Sequence, residues 1–193
     1  MIFHSKLSHN ILFLSLLLWS LSAHSQSYLT GISSYYDDSA SEWTIYGADA
    51  EDEEEEIEGE MRIKWALRGD FSEWTLDYDN VVYTVRQKFN NDISQWSIRS
   101  EHGVTADIRT KWNRDFSEWV ISYNRGKYTW KTATRNDGST WYYEVAENNY
   151  IEMYTANGAD TRDWIINDYL EDVDDILKLS FLFITMYNTT PKQ

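Results

Sequence analysis

Hydrophobic residues recur at every second position through long stretches between residues 35 and 169 of this 193-residue chain. The outgoing runs are Trp74, Leu76 and Tyr78; Trp96 and Ile98; Trp119, Ile121 and Tyr123; Trp141, Tyr143 and Val145; Trp164 and Ile166. A period of two puts these side chains on one face of a β-strand. Residues that tolerate positive φ follow: Asp79-Asn80, His102-Gly103, Asn124-Arg125-Gly126 and Asn148-Asn149. Such pairs suit tight hairpin turns. The chain then returns with Tyr83, Val85 and Phe89; Val104, Ala106, Ile108 and Trp112; Tyr128 and Trp130; Ile151 and Met153. Thr84, Arg86 and Lys88, then Asp107, Arg109 and Lys111, occupy the intervening positions. Each unit is therefore a β-hairpin with one apolar and one charged face.

The hairpins repeat. Trp43, Trp74, Trp96, Trp119, Trp141 and Trp164 are separated by 31, 22, 23, 22 and 23 residues. Near-equal gaps mark an internal repeat. The first gap is lengthened by an acidic insert, residues 48–60. DFSEW occurs at Asp70–Trp74 and again at Asp115–Trp119, with a blurred copy, NDISQW, ending at Trp96. In this phrase the Asp side chain suits an Asx turn to the backbone two residues on. Asp92, Asp137 and Asp160 hold the same place in the other units. Glu73 and Glu118 fall on the wet face, opposite Lys or Arg of neighbouring strands, and the Trp opens the buried face. Trp65, Phe89 and Trp112 end the preceding strands, so an aromatic row with Trp74, Trp96 and Trp119 is expected along one rim. The pattern predicts an all-β fold: an up-and-down antiparallel meander of about 11–12 short strands.

An apolar face this large must be covered, since each fully buried large side chain gains roughly 1.5–3 kcal/mol. At about 4.8 Å per strand the flat sheet would be on the order of 50 Å wide, and such sheets curl. The segment after residue 170 is the cover. Val173, Ile176, Leu177, Phe181 and Ile184 form a helical stripe, and Leu179, Leu182, Phe183 and Met186 make the other sides apolar too. A helix apolar all round is a buried helix. Leu177, Leu179, Phe181 and Phe183 also alternate, which keeps a strand reading open. The favoured expectation is a strongly curved or barrel-like sheet with a C-terminal helix on its concave face. The organisation expected is residues 1–25 as a leader, 26–34 as an N-terminal linker, 35–170 as the repeat domain and 171–193 as apolar helix and polar tail.

The leader reading rests on order: Lys6, then the apolar run at 11–21, then the small residues Ala23 and Ser25 before Gln26. That is the layout of a secretory signal peptide. Export places the protein in the periplasm, at the outer membrane or outside the cell. The formal net charge is −15, and −16 for residues 26–193. This field disfavours nucleic acid and anionic membrane surfaces and favours cationic partners. Residues 51–60 hold eight carboxylates without the spacing of a structured calcium loop, so a solvated hairpin tip is expected there. There is no cysteine, and after residue 25 the one histidine is His102 in a turn. These counts exclude His/Cys metal clusters, Ser-His-Asp sets and Cys-His pairs, and no glycine-rich phosphate loop occurs. No catalytic, cofactor-binding or metal residue is singled out, and no cofactor is expected. A carboxylate-only hydrolase is the enzyme class the composition leaves open. Tyr142, Tyr154, Phe71 and Phe116 are the aromatics off the buried face that a sugar-binding surface could use.

The repeat, with DFSEW at Asp70–Trp74 and Asp115–Trp119, resembles an uncharacterised family of small exported proteins from Bacteroidota-type bacteria. The resemblance covers residues 37–170. It implies a compartment and an architecture, and no site residues. Three functional expectations result. The first is a non-enzymatic envelope protein, structural or binding an unknown protein or glycan partner. The second is a small outer-membrane β-barrel, against which the short strands and the polar end of the chain weigh. The third is a carbohydrate-binding module.

Overall fold

A computed structural model describes residues 27–36, 39–49, 56–135 and 137–190. The leader, the tip of the acidic insert at 50–55 and residues 191–193 lie outside the described residues. The strands are β1 (Ser27–Tyr36), β2 (Ser39–Asp49), β3 (Glu56–Trp65), β4 (Asp70–Tyr78), β5 (Val81–Gln87) and β6 (Gln95–Ser100). They continue as β7 (Thr105–Trp112), β8 (Asp115–Tyr123), β9 (Gly126–Thr134), β10 (Asp137–Ala146), β11 (Asn149–Asn157) and β12 (Asp160–Asp168). One helix follows, α1 (Asp175–Thr189). Every strand pairs antiparallel with its sequence neighbours. β1 closes the ring on β12 through Gly31 opposite Ile165 and Ile32 opposite Trp164. The expected meander is thus a closed twelve-stranded barrel.

Closure explains how one helix covers so many strands. All residues from Ile176 to Tyr187 are buried. The inward tryptophans ring this helix. Trp74 and Trp96 meet Phe183 edge-on with centroids at 5.7 and 5.0 Å. Trp96 and Trp119 meet Tyr187, and Trp130 stacks on Phe181 at 4.5 Å. Trp130 Nε1 also donates to Thr185 Oγ1 at 3.0 Å, so one of the helix's polar groups is satisfied inside. The helix reading holds and the strand reading falls.

Turn chemistry matches the sequence. Asp79-Asn80 and Asn124-Arg125 each put two consecutive residues at positive φ, the conformation of a two-residue hairpin that follows the twist of its strands. These tight turns gather at one end of the barrel with the start of α1. The D-x-S-x-W corners gather at the other, where α1 ends.

Two expectations need correction. Residues 27–34, expected within a linker, are most of β1. Leu29 and Ile32 both point inward, three residues apart, because a bulge between Leu29 and Gly31 breaks the period of two. The aromatic row also splits. Trp74, Trp96 and Trp119 are buried, whereas Trp65, Phe89 and Trp112 are exposed. Bulges at Ile63/Trp65 and Thr110/Trp112 rotate the last residue of β3 and of β7 outward. Val104, just before β7, and Val145, near the end of β10, are exposed as well.

Candidate functional site

Five corners of the repeat are built the same way. The backbone N–H of Ser72, Ser94, Ser117, Ser139 and Arg162 donates to the carboxylate two residues earlier, at 2.9–3.1 Å. The indole N–H of Trp74, Trp96, Trp119, Trp141 and Trp164 donates to the carbonyl three residues earlier, at 2.9–3.0 Å. The Asp bends the chain and the Trp staples the bend to the core. In the first unit Ser39 replaces the Asp. There, Trp43 Nε1 has no hydrogen-bond partner among the described residues.

These hydrogen bonds hold the Asp carboxyls below their ordinary range. Asp115 is lowered by the Ser117 side chain and backbone, and Asp160 falls to about 2 through its hydrogen bond with Arg162. The Glu of the phrase behaves as expected on the wet face. Lys64 Nζ and Arg86 each donate to Glu73 Oε1 at 2.7 Å. Lys111 Nζ donates to Glu118 Oε1 at 3.2 Å, and Trp112 Nε1 donates to Glu118 Oε2 at 2.8 Å. Burial pushes both glutamates up, but these donors outweigh it and keep them low.

Two adjoining hollows open at this end, each of about 460–470 Å³. The outer one is a groove lined by Trp112, Asp115, Glu118, Lys131, Thr132 and Arg135. The second lies at the barrel mouth, where Asn188 of α1 meets Phe116 and Trp141. Arg135 donates to Asp115 at 3.0 Å on the line between them. The groove offers an aromatic ring, cations and ionised carboxylates. The hydrogen bonds and cations beside Asp115 and Glu118 hold both carboxyls below their ordinary range, so neither is set up to donate a proton near neutral pH.

The opposite end carries a different constellation. Lys178 Nζ meets Asp168 Oδ2 at 2.7 Å, with both side chains fully buried. Asp168 also accepts the backbone N–H of Leu29 at 3.2 Å and of Leu170 at 3.1 Å. Tyr28 places its ring 5.4 Å from the ammonium. One carboxylate therefore joins β12, β1 and α1. Nearby, Tyr123 donates to Asp174 at 2.8 Å, and burial raises the Asp175 carboxyl. A shallow hollow of about 500 Å³ lies over this seam, lined by Tyr28, Thr30, Asn148, Tyr169 and Glu171.

Of the off-face aromatics, Tyr142 is near the groove, with Lys131 Nζ 4.7 Å from its ring. Phe71 and Phe116 pack against the core, and Tyr154 is half-buried on β11, so the four form no common surface. His102 is exposed in the β6–β7 turn. Among the described residues no group of three or more His, Cys, Asp or Glu is arranged to hold a metal ion. The Lys178–Asp168 pair escaped sequence reasoning, although a lysine within an otherwise apolar helix was a signal for it. No family model matches the chain, and no curated protein and no solved structure matches it either.

Proposed function

We propose that this chain is an exported, water-facing β-barrel of the bacterial envelope. It acts as a non-enzymatic structural or binding module, with its interior as scaffold and its outer wall and rims as contact surface. The observation that carries this reading is the polarity of the barrel. Tryptophans, aliphatic side chains and a helix fill the inside, while Lys64, Glu73, Arg86, Asp107, Lys111 and Glu118 stand on the outer wall. A membrane barrel has the opposite polarity, apolar outside and polar within. The leader pattern and the family resemblance support export.

The small outer-membrane barrel gains from closure, from the even strand number and from strands of up to 11 residues. Its lipid-facing band would have to include the charged wall, which costs about 2–4 kcal/mol for an Arg or Lys at the bilayer midplane. The deciding experiment is light scattering after size exclusion on residues 26–193. A monodisperse protein in plain buffer is expected, and a fold that persists only in detergent would overturn the proposal. Export is checked by cell fractionation, with a mature N-terminus at Gln26 expected. The exposed Trp112 beside the groove favours the carbohydrate reading as second choice. A glycan that shifts the fluorescence of the wild type but not of Trp112→Ala would support it.

A further inference from the structure

Residues 105–135, which hold β7, β8, β9 and their turns, carry seven Lys or Arg against three Asp or Glu. This stretch has a formal charge of +4, and the rest of residues 26–193 sums to −20. Strand register fixes where the charges stand. On the outer wall Arg109 lies opposite Val120, and Val120 lies opposite Thr129. Two residues along β8 in one direction, Glu118 lies opposite Lys131. Two residues along in the other, Ser122 lies between Asp107 and Lys127. Val120 faces outward by this register yet is only 7% exposed, so the longer side chains around it wall it in. The outer face of β8 is thus the floor of a shallow track, about 13 Å long from Glu118 to Ser122. Cations of β7 and β9 border it.

The three carboxylates of this stretch are already engaged. Asp107 accepts from Lys88 at 3.0 Å, Glu118 from Lys111 and Trp112, and Asp115 from Arg135 and the Ser117 N–H. Arg109 and Lys127 are exposed and have no carboxylate within 4 Å among the described residues. At its upper end the track runs into the groove beside Trp112. That ring is 58% exposed, and its N–H is tied to Glu118, so the indole is held in place with most of its surface in solvent. Tyr142 flanks the other side, with Lys131 Nζ 4.7 Å from its ring. A twelve-stranded barrel is about 25 Å across, and β1 and β2 stand on the far side from β7 and β8. That is about three Debye lengths at physiological salt, so carboxylates of the far wall are screened from an anion in the track.

We propose that this track binds a carboxylated polysaccharide, a polyuronate, laid along β8. One sugar ring stacks its C–H face on Trp112, while Lys131, Arg109 and Lys127 meet carboxylates further down the wall. The ring and the cations select different properties. A neutral glycan would use Trp112 and leave Arg109 and Lys127 without a counter-charge. An acidic protein would use the cations and leave the fixed indole unused. A polyuronate uses both, and the planar fork of Arg109 suits a carboxylate bidentately. The inference rests on the reading of the barrel as a water-facing binding module and names the ligand class of its outer wall.

The test is titration of residues 26–193 at low salt with polygalacturonate, alginate and hyaluronan, followed by tryptophan fluorescence and calorimetry. Fully methyl-esterified polygalacturonate and polyglutamate are the controls. At least one polyuronate is expected to bind and to shift the fluorescence, with both controls ~10-fold weaker or worse. Arg109→Gln/Lys127→Gln should lower the affinity by ~10-fold or more and flatten its salt dependence. Trp112→Ala should weaken binding and remove the fluorescence change. These side chains are exposed, so the circular dichroism of both variants should match the wild type. A monodisperse wild type that binds none of the three overturns the proposal. So does a control that binds as tightly as the best polyuronate, or a pair of variants that bind as the wild type does. A wild type that oligomerises at low salt, is made monomeric by the double variant and binds no polyuronate also overturns it, and assigns the cations to a second copy. Failure of the water-facing reading looks different, because the wild type would then require detergent.

Discussion

Replacing Lys178 by Met removes an ammonium from the barrel interior and keeps most of the volume of its stem. The Asp168 carboxylate is then left fully buried with only the N–H groups of Leu29 and Leu170. Breaking a buried pair from one side costs about 3–5 kcal/mol. The two N–H donors place Lys178→Met near the lower end, about 3 kcal/mol. Asp168→Asn takes away the counter-charge of the buried ammonium instead and should cost a similar amount. The double variant removes both charges but keeps a carbonyl oxygen for one backbone donor. Its residual cost is that of an imperfectly satisfied N–H, about 1–2 kcal/mol. The double-mutant cycle should therefore show a coupling of at least ~3 kcal/mol, a large part of the ~5–15 kcal/mol typical of a domain. Urea unfolding followed by tryptophan emission reads it directly, since Trp74, Trp96, Trp119 and Trp130 surround the helix. Single variants that cost under ~1 kcal/mol, or that simply add in the double, would refute the argument that this pair seats the helix and closes the β1–β12 seam.

Trp119→Ala should destabilise by about 3–5 kcal/mol and Trp112→Ala by under about 0.5, a contrast measured by the same urea titration. Gly59→Ala should cost about 1–3 kcal/mol or shift the β3–β4 register, because a Cβ there would stand 2.0 Å from the Asp77 carbonyl oxygen. The folded-state pKa values of Asp70, Asp92, Asp115, Asp137 and Asp160 lie below their unfolded values. Their contribution to stability is thus present above the ordinary carboxylate range and is lost as the pH falls through the folded values, down to about 2 for Asp160. Urea midpoints measured across acid pH should fall steadily in that window. Asp175 has the opposite sign: burial raises its pKa, so ionising it costs stability near neutral pH. Asp175→Asn should raise the urea midpoint at neutral pH and leave it unchanged where the wild-type carboxyl is already protonated.

Much of this architecture is written locally in the chain. Alternation, hairpin turns and the D-x-S-x-W corner each depend on residues within a few positions of one another. The hairpins, the inward tryptophans, the outward glutamates and the buried helix could therefore be read without a structure. Closure was not local. Whether β1 meets β12 depends on twist accumulated over twelve strands, and no single segment records that sum. β1 was missed because a bulge separates its inward residues, Leu29 and Ile32, by three positions instead of two. The outward turn of Trp65 and Trp112 has the same cause, since a one-residue bulge exchanges the faces of everything beyond it. The Lys178–Asp168 pair joins residues whose attraction becomes strong only where the folded barrel has excluded water around them. The rim needed the fold too. Its lysine–aromatic pairs are visible in the sequence, but only the barrel places them side by side.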